Sequence, residues 1–167
     1  NESLLKNIFF LNKENINKIL SQYNLVESYT VKKIYPSKIK IDIIQTNYLA
    51  KISGTNFSLV GSNGKLIENE VSKKSLPLFF GKFDSEKFLR FKKIIENSDF
   101  KFSDFKSIIF YSYDRWDVLT VEDILIRLPE KNLSESLILA HEIILDDQFK
   151  DIRVVDLRIA NHIITQK

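Results

Sequence analysis

The chain has 167 residues, enough for one medium domain or two small ones, and its 44% hydrophobic and 28% charged residues are ordinary for a soluble globular fold. It has no Cys, which excludes disulfides, zinc–thiolate sites and cysteine nucleophiles. The net charge of +3 is uneven: residues 1–83 hold 12 Lys/Arg and 6 Asp/Glu, residues 84–167 hold 13 and 16, which hints at two units but lacks the clustered basic face of a nucleic-acid binder.

A solvated surface accounts for the basic first half, and an anionic membrane nearby would suit it too. No stretch reaches the roughly 18 apolar residues of a membrane span. The chain has no Met, so the expectation is a piece of a longer protein with any targeting or membrane segment upstream.

Ile8 to Leu11 is a short apolar run, and Asn12 resembles an N-cap with Asn15 at the capping-box position. Ile16, Ile19 and Leu20 recur at helical spacing, predicting a helix over Lys13–Tyr23. Val26–Tyr35 is β-branched and aromatic and ends at a Pro36-Ser37 turn. Lys38–Thr46 alternates, with Ile39, Ile41 and Ile43 on one face, which predicts a half-buried strand and a hairpin.

Short strands follow near 49–53, 56–60 and 65–68, separated by Gly54-Thr55 and Ser62-Asn63-Gly64. Leu76-Pro77-Leu78 and Gly81 read as an irregular crossing. Asp84 or Ser85 caps a helix to about Asn97 with Phe88, Phe91, Lys92 and Ile95 on one stripe, which Ile94 broadens. Strands are predicted at Ile108–Tyr113, Trp116–Thr120 and Ile124–Leu128. Asn132 or Ser134 caps a helix through Asp146.

Ile152–Gln166 (IRVVDLRIANHIITQ) reads as a late strand at the edge of a sheet, although Asn161-His162 interrupts its apolar run. It either completes the core or offers unpaired N–H and C=O groups to another chain. The fold class expected from these elements is α+β, a helix and β-hairpin followed by a mostly antiparallel sheet with two helices.

Enzyme chemistry finds little support. His141 lies beside Glu142 without metalloprotease spacing and reads as a boundary histidine; His162 has no nucleophile context. Glu122-Asp123 and Asp146-Asp147 fall in a turn and at a helix end, where solvated caps explain them. No phosphate-binding glycine motif is present. No catalytic, cofactor or metal site is expected. Trp116 reads first as core and second as an interface anchor, with Arg115 and Asp117 on the opposite face.

The chain resembles the extracytoplasmic part of the bacterial division proteins FtsQ and DivIB. The resemblance rests on Val26-Glu27-Ser28 with Val31-Lys32-Lys33 and Pro36, then Ile39-Lys40-Ile41, Ala50 and Gly64-Lys65-Leu66-Ile67. It continues through Leu76-Pro77-Leu78 with Gly81, Arg115-Trp116-Asp117, Leu128-Pro129-Glu130 and Val155-Asp156-Leu157-Arg158. Gln45-Thr46, Tyr48 and Ile159 depart from the family pattern.

The resemblance implies a POTRA domain over residues 1–47, lacking its first strand and helix, and a β domain over 48–167. It also implies a single inner-membrane helix absent from this chain, a periplasmic location, and a non-enzymatic role in septum formation. The implied partners are other division proteins of the FtsB–FtsL kind, with no nucleic acid. The expected mechanism is strand addition at the terminal edge, over Val155, Asp156, Leu157, Arg158, Ile159, Ala160, Asn161, His162 and Ile163. Arg115, Trp116, Lys32 and Lys33 form a secondary candidate surface. Asp156 and Arg158 are either a solvent-facing ion pair or the rim of that site. The rival readings are a secretion or outer-membrane assembly module that receives polypeptides along 26–34, and a wall hydrolase.

Overall fold

The computed structural model describes residues 13–36, 38–54, 58–68, 72, 75–159 and 162–166. Ile8–Leu11, Asn12, Ser37, Thr55, Ala160 and Asn161, all used above, lie outside them. The fold is α+β, with three α-helices, a two-stranded sheet and a nine-stranded, mostly antiparallel sheet among the described residues.

The first elements are α1 (Lys13–Leu20) and the antiparallel hairpin of β1 (Val26–Ile34) and β2 (Lys38–Gln45). Helix α1 stops short of Tyr23 because its last turn loosens: Gln22 and Tyr23 N–H donate three residues back, to the Ile19 and Leu20 carbonyls. Tyr29 pairs with Ile43 and Val31 with Ile41, so these four share a face. The eight-residue α1 covers one end of that face, burying its own Ile16 and Leu20, and Tyr29 hydroxyl donates to Asn17 Oδ1. Strand β2 forms where expected, but Ile41 and Ile43 stay 42% and 53% exposed, so it is not half-buried.

The base of the hairpin is tied to the turn between β4 (Ser58–Gly61) and β5 (Leu66–Glu68). Asn63 Nδ2 donates to the Asn24 and Val26 carbonyls at 2.8 and 3.0 Å. Asn24 Nδ2 donates to Leu66 O at 2.8 Å, and Ser62 Oγ donates to Glu27 Oε2 at 2.7 Å. Gly64 holds this turn at φ 73°, as the Asn-Gly signal requires. Asn63→Ala is expected to cost about 2 kcal/mol, because two carbonyls lose their donor. Hydrogen exchange should then quicken in β1 and β2 but not in the strands next to α2 and α3.

The nine-stranded sheet runs β11-β10-β9-β8-β7-β6-β3-β4-β5. Its remaining strands are β3 (Tyr48–Ile52), β6 (Leu78–Phe80), β7 (Phe105–Phe110), β8 (Trp116–Thr120), β9 (Leu125–Arg127), β10 (Val154–Asp156) and β11 (Ile164–Gln166). Helices α2 (Ser85–Glu96) and α3 (Leu133–Leu145) connect the parallel pairs β6–β7 and β9–β10, the crossover that parallel pairing demands. The expected irregular crossing at Leu78 is thus a central strand, with β3 and β7 on either side. Strand β7 starts three residues before Ile108, and Tyr111–Asp114 forms the turn to β8, with Asp114 at φ 62°.

Asp84 caps α2, its side chain accepting from Lys87 N–H at 3.0 Å. Asn132 precedes α3 in the left-handed region and gives no side-chain cap. Both helices bury their apolar stripes on the sheet face that carries Phe79, Ile108, Trp116, Val118, Ile126 and Val155. Trp116 is the centre of this core. Its ring stacks on Phe91 at 4.1 Å and packs against Phe110 at 4.5 Å.

Candidate partner-binding site at the sheet edge

The tail is two strands rather than the single strand expected over Ile152–Gln166. Strand β10 lies between β9, parallel, and β11, antiparallel, so Val155 and Asp156 are inside the sheet rather than on its edge. Asp156 is the physical reason for the break. Its carboxylate accepts the Arg158 N–H at 3.1 Å, which takes that donor from any ladder and turns the chain out of the sheet. His162 N–H then donates to Ile159 O at 3.1 Å. Val155 and Leu157 are buried in the core, so they offer no side chain to a partner. Ala160 and Asn161 lie outside the described residues.

The true border is β11, whose register on β10 pairs Val154 with Gln166, Val155 with Thr165 and Asp156 with Ile164. Leu125 N–H donates to Arg153 O and Leu157 N–H to Arg127 O, so the 153 carbonyl and residues 155 and 157 bond toward β9, while Arg153 N–H donates to Gln166 O at 2.7 Å. Residues 154 and 156 therefore bond toward β11. Their register partners Ile164 and Gln166 bond inward, and Thr165 turns its N–H and C=O to the open side.

An open groove of ≈ 760 Å³ lies where the chain leads into β11, between residues of the 157–163 connection, the start of α3 and the side chains of Tyr113 and Arg115. Arg158, Ile159, His162 and Ile163 line it. Ile159, Ile163 and Ile164 are 56%, 50% and 42% exposed, which gives the edge an apolar flank.

Charges cross the sheet in a row beneath this flank. Asp117 on β8 pairs in register with Arg127 on β9, and Arg127 with Asp156 on β10. Arg158 folds back on Asp156, donating from Nη2 to Oδ2 at 2.6 Å and from Nε to Oδ1 at 2.8 Å. Arg127 Nη1 adds a longer bond of 3.4 Å. The Arg158 hydrogen bonds hold the Asp156 carboxyl below its usual value against the opposing effect of burial. Burial has the larger effect at Asp117 and pushes its carboxyl up, with Arg115 the leading counterweight.

The Asp156 contribution is therefore complete above the ordinary carboxylate value of 3.8 and lost as pH falls through the lower folded value. Asp156→Asn should cost about 1 kcal/mol at neutral pH, since Arg158 is partly solvated. Acid titrations of stability should show the variant losing less than the parent below that value.

A model of the family "Cell division protein FtsQ/DivIB, C-terminal" matches residues 50–158, more than half of the chain. This chain belongs to the FtsQ/DivIB family. It is 25% identical over 164 residues to a cell division protein FtsQ of Bradyrhizobium diazoefficiens, covering 95% of this chain and 48% of that protein. Against FtsQ of Rhizobium meliloti it is 26% identical, over 93% of this chain and 52% of that protein. Against FtsQ of Rhizobium radiobacter it is 25% identical, over 88% and 72%. The chain thus spans about half the length of the first two relatives. The FtsQ/DivIB match runs from β3 to the residue that clamps Asp156, and ends before β11.

The other candidate residues separate. Trp116 is 4% exposed and belongs to the core of the FtsQ/DivIB unit, while its neighbour Arg115 reaches the groove. Lys32 and Lys33 stand on β1, in the separate two-stranded sheet. His141 is 3.9 Å from Asp99 and packs edge-on against Phe100. Asp123 sits in its turn at φ 67° and accepts from Lys106 Nζ at 2.6 Å; Asp146 accepts from Gln148 N–H. These carboxylates are turn and cap groups. Among the described residues no three His, Asp or Glu group as metal ligands, and no helix is long and apolar enough to cross a membrane.

Sequence reasoning includes Ile164, Thr165 and Gln166 in the edge strand but leaves them out of the contact residues, which it places at 155–163. The signal was present: Asn161-His162 breaks the apolar run, and Asp156 two residues before Arg158 is an Asx-turn spacing.

Proposed function

We propose that this chain is the extracytoplasmic part of a membrane-anchored scaffold of the division machinery, and that it binds other division proteins by strand addition to β11. The observation that carries this reading is the position of β11: it is the terminal strand of the nine-stranded sheet, with one side open. A partner strand laid beside it gains backbone hydrogen bonds from Thr165, and the exposed Ile159, Ile163 and Ile164 supply apolar contact. Arg115 and Arg158 at the groove suit acidic side chains of the same partner. An FtsB–FtsL-like pair is the partner that family membership suggests.

Residues 1–47 are read as a POTRA domain and 48–167 as the β domain. The family match beginning at residue 50 supports that boundary. The proposed location is the periplasmic side of the inner membrane, with an anchoring helix upstream. The proposed role is non-enzymatic, in support of septal wall synthesis.

Calorimetry with the soluble extracytoplasmic segment of the organism's FtsB-like protein tests this. Thr165→Pro deletes an outward N–H without taking an internal bond, so the protein should fold and bind at least tenfold more weakly, about the value of one hydrogen bond. Thr165→Val should bind like the parent. Unchanged affinity in a folded Thr165→Pro protein would sink the edge mechanism.

A further inference from the structure

The β1–β2 hairpin carries a feature that strand addition at β11 does not use. Lys32, Lys33, Lys38 and Lys40 fall within nine residues, with no carboxylate between them. Lys32 and Lys40 are direct register partners, a like-charge pair that destabilises a strand pair on its own. Only Lys40 of the four has a carboxylate within ion-pair distance among the described residues, Asp42 at 3.2 Å. Lys87, Lys92, Lys106 and Lys150, in contrast, each meet an acidic partner.

Apolar groups occupy the end of the same hairpin. Ile34 is 47% exposed and Tyr35 69% exposed. Cross-strand partners share a face, so Ile34 stands with Lys32, Lys38 and Lys40 on one side. The opposite end is the one that Asn63 and Ser62 pin to the nine-stranded unit, so the lysine-rich end projects away from it.

We propose that this hairpin end docks on the surface of an anionic phospholipid bilayer. Only two strands, β1 and β2, make up this end, with Ile34 opposite Lys38, and so narrow a tip suits partial entry into a headgroup layer. Tyr35 matches the aromatic position at a membrane interface, with Ile34 beside it in the acyl boundary. The lysines extend their stems over that apolar pair and place their ammonium groups on lipid phosphates. The anionic surface supplies the charge that Lys32 and Lys40 lack across the strand pair. This docking is independent of the β11 edge.

Co-sedimentation of the 167-residue chain with vesicles is the test, comparing pure phosphatidylcholine with an equal mixture of phosphatidylcholine and phosphatidylglycerol. The parent should partition onto the mixed vesicles at low salt, release at high salt and ignore pure phosphatidylcholine. Each lysine near an anionic surface contributes roughly fivefold, so the Lys32→Gln/Lys38→Gln protein should bind about 25-fold more weakly. Tyr35→Ser should weaken binding several-fold at constant charge. All three changes are on exposed side chains, so each variant should fold, and the double variant should unfold no earlier than the parent because it relieves the Lys32–Lys40 repulsion. Equal partition onto both vesicle types, or a double variant that binds like the parent, overturns the proposal. Capture of the parent by soluble polyglutamate as strongly as by vesicles, with Tyr35→Ser neutral, also overturns it, in favour of an acidic polypeptide.

Discussion

Gly81→Ala should lower the unfolding free energy by about 3–5 kcal/mol, the largest loss expected from any single change here. Gly81 follows β6 at φ 109°, a conformation that L side chains rarely adopt. A Cβ at this position would lie 2.1 Å from the Phe110 carbonyl oxygen. That oxygen belongs to β7, which is paired with both β6 and β8, so it has little freedom to retreat. The alanine protein must either break the end of the β6–β7 ladder or shift Phe110 against Trp116, 4.5 Å away. Urea unfolding followed by Trp116 fluorescence measures the loss. Parent-like stability would show that the β6–β7 contact yields at low cost.

Arg115→Ala should cost about 3 kcal/mol at neutral pH, because it removes the first counterion of a buried carboxylate. Asp117 is 3% exposed. Its Oδ2 accepts from Tyr111 hydroxyl at 3.2 Å, while Oδ1 lies 3.5 Å from Arg115 Nε without a hydrogen bond between them. The Arg115 guanidinium lies over Tyr111 at 4.0 Å and Tyr113 at 5.2 Å, so truncation also removes cover from the site. Arg127 and Arg158 remain as more distant charges.

The sign with pH follows from the raised Asp117 value. A carboxyl whose folded value lies above its unfolded one is favoured as pH falls through the folded value. The Arg115→Ala deficit should therefore shrink on acidification as Asp117 takes up a proton. Asp117→Asn added to Arg115→Ala should recover part of the loss at neutral pH. Equal deficits at neutral and acidic pH would assign the effect to packing on Tyr111 and Tyr113 instead of charge.

Local chemistry made much of the fold legible. Asp84 before an apolar stripe, Asn63-Gly64 between β-branched runs, and alternation over Lys38–Gln45 each act within a few residues, and each element appears where that chemistry puts it. Leu78–Phe80 escaped because three residues after a proline carry no period; only the flanking strands β3 and β7 make them a strand. The exposure of Ile41 and Ile43 also lies beyond the reach of pattern, since it depends on how far α1 extends over the hairpin.

The groove residues of the proposed site were legible in chemistry, and the sheet border was misplaced in register. Arg158, Ile159, His162 and Ile163 do line the groove, and Arg115 joins them from a distant strand. Val155 and Leu157 read as edge residues because an apolar run looks alike on a border and in a core. What separates the two cases is a tertiary event, the return of the chain to form β11 against β10.

Residue-resolved hydrogen exchange of the Ile164–Gln166 amides, with and without the FtsB-like segment, is the most direct test of strand addition. In the free protein the Thr165 N–H should exchange fast and that of Ile164, bonded inward, more slowly. Saturating partner should slow Thr165 at least tenfold, as expected for an amide drawn into a new backbone hydrogen bond. A complex formed at full strength with Thr165 still exchanging at its free rate would contradict the account.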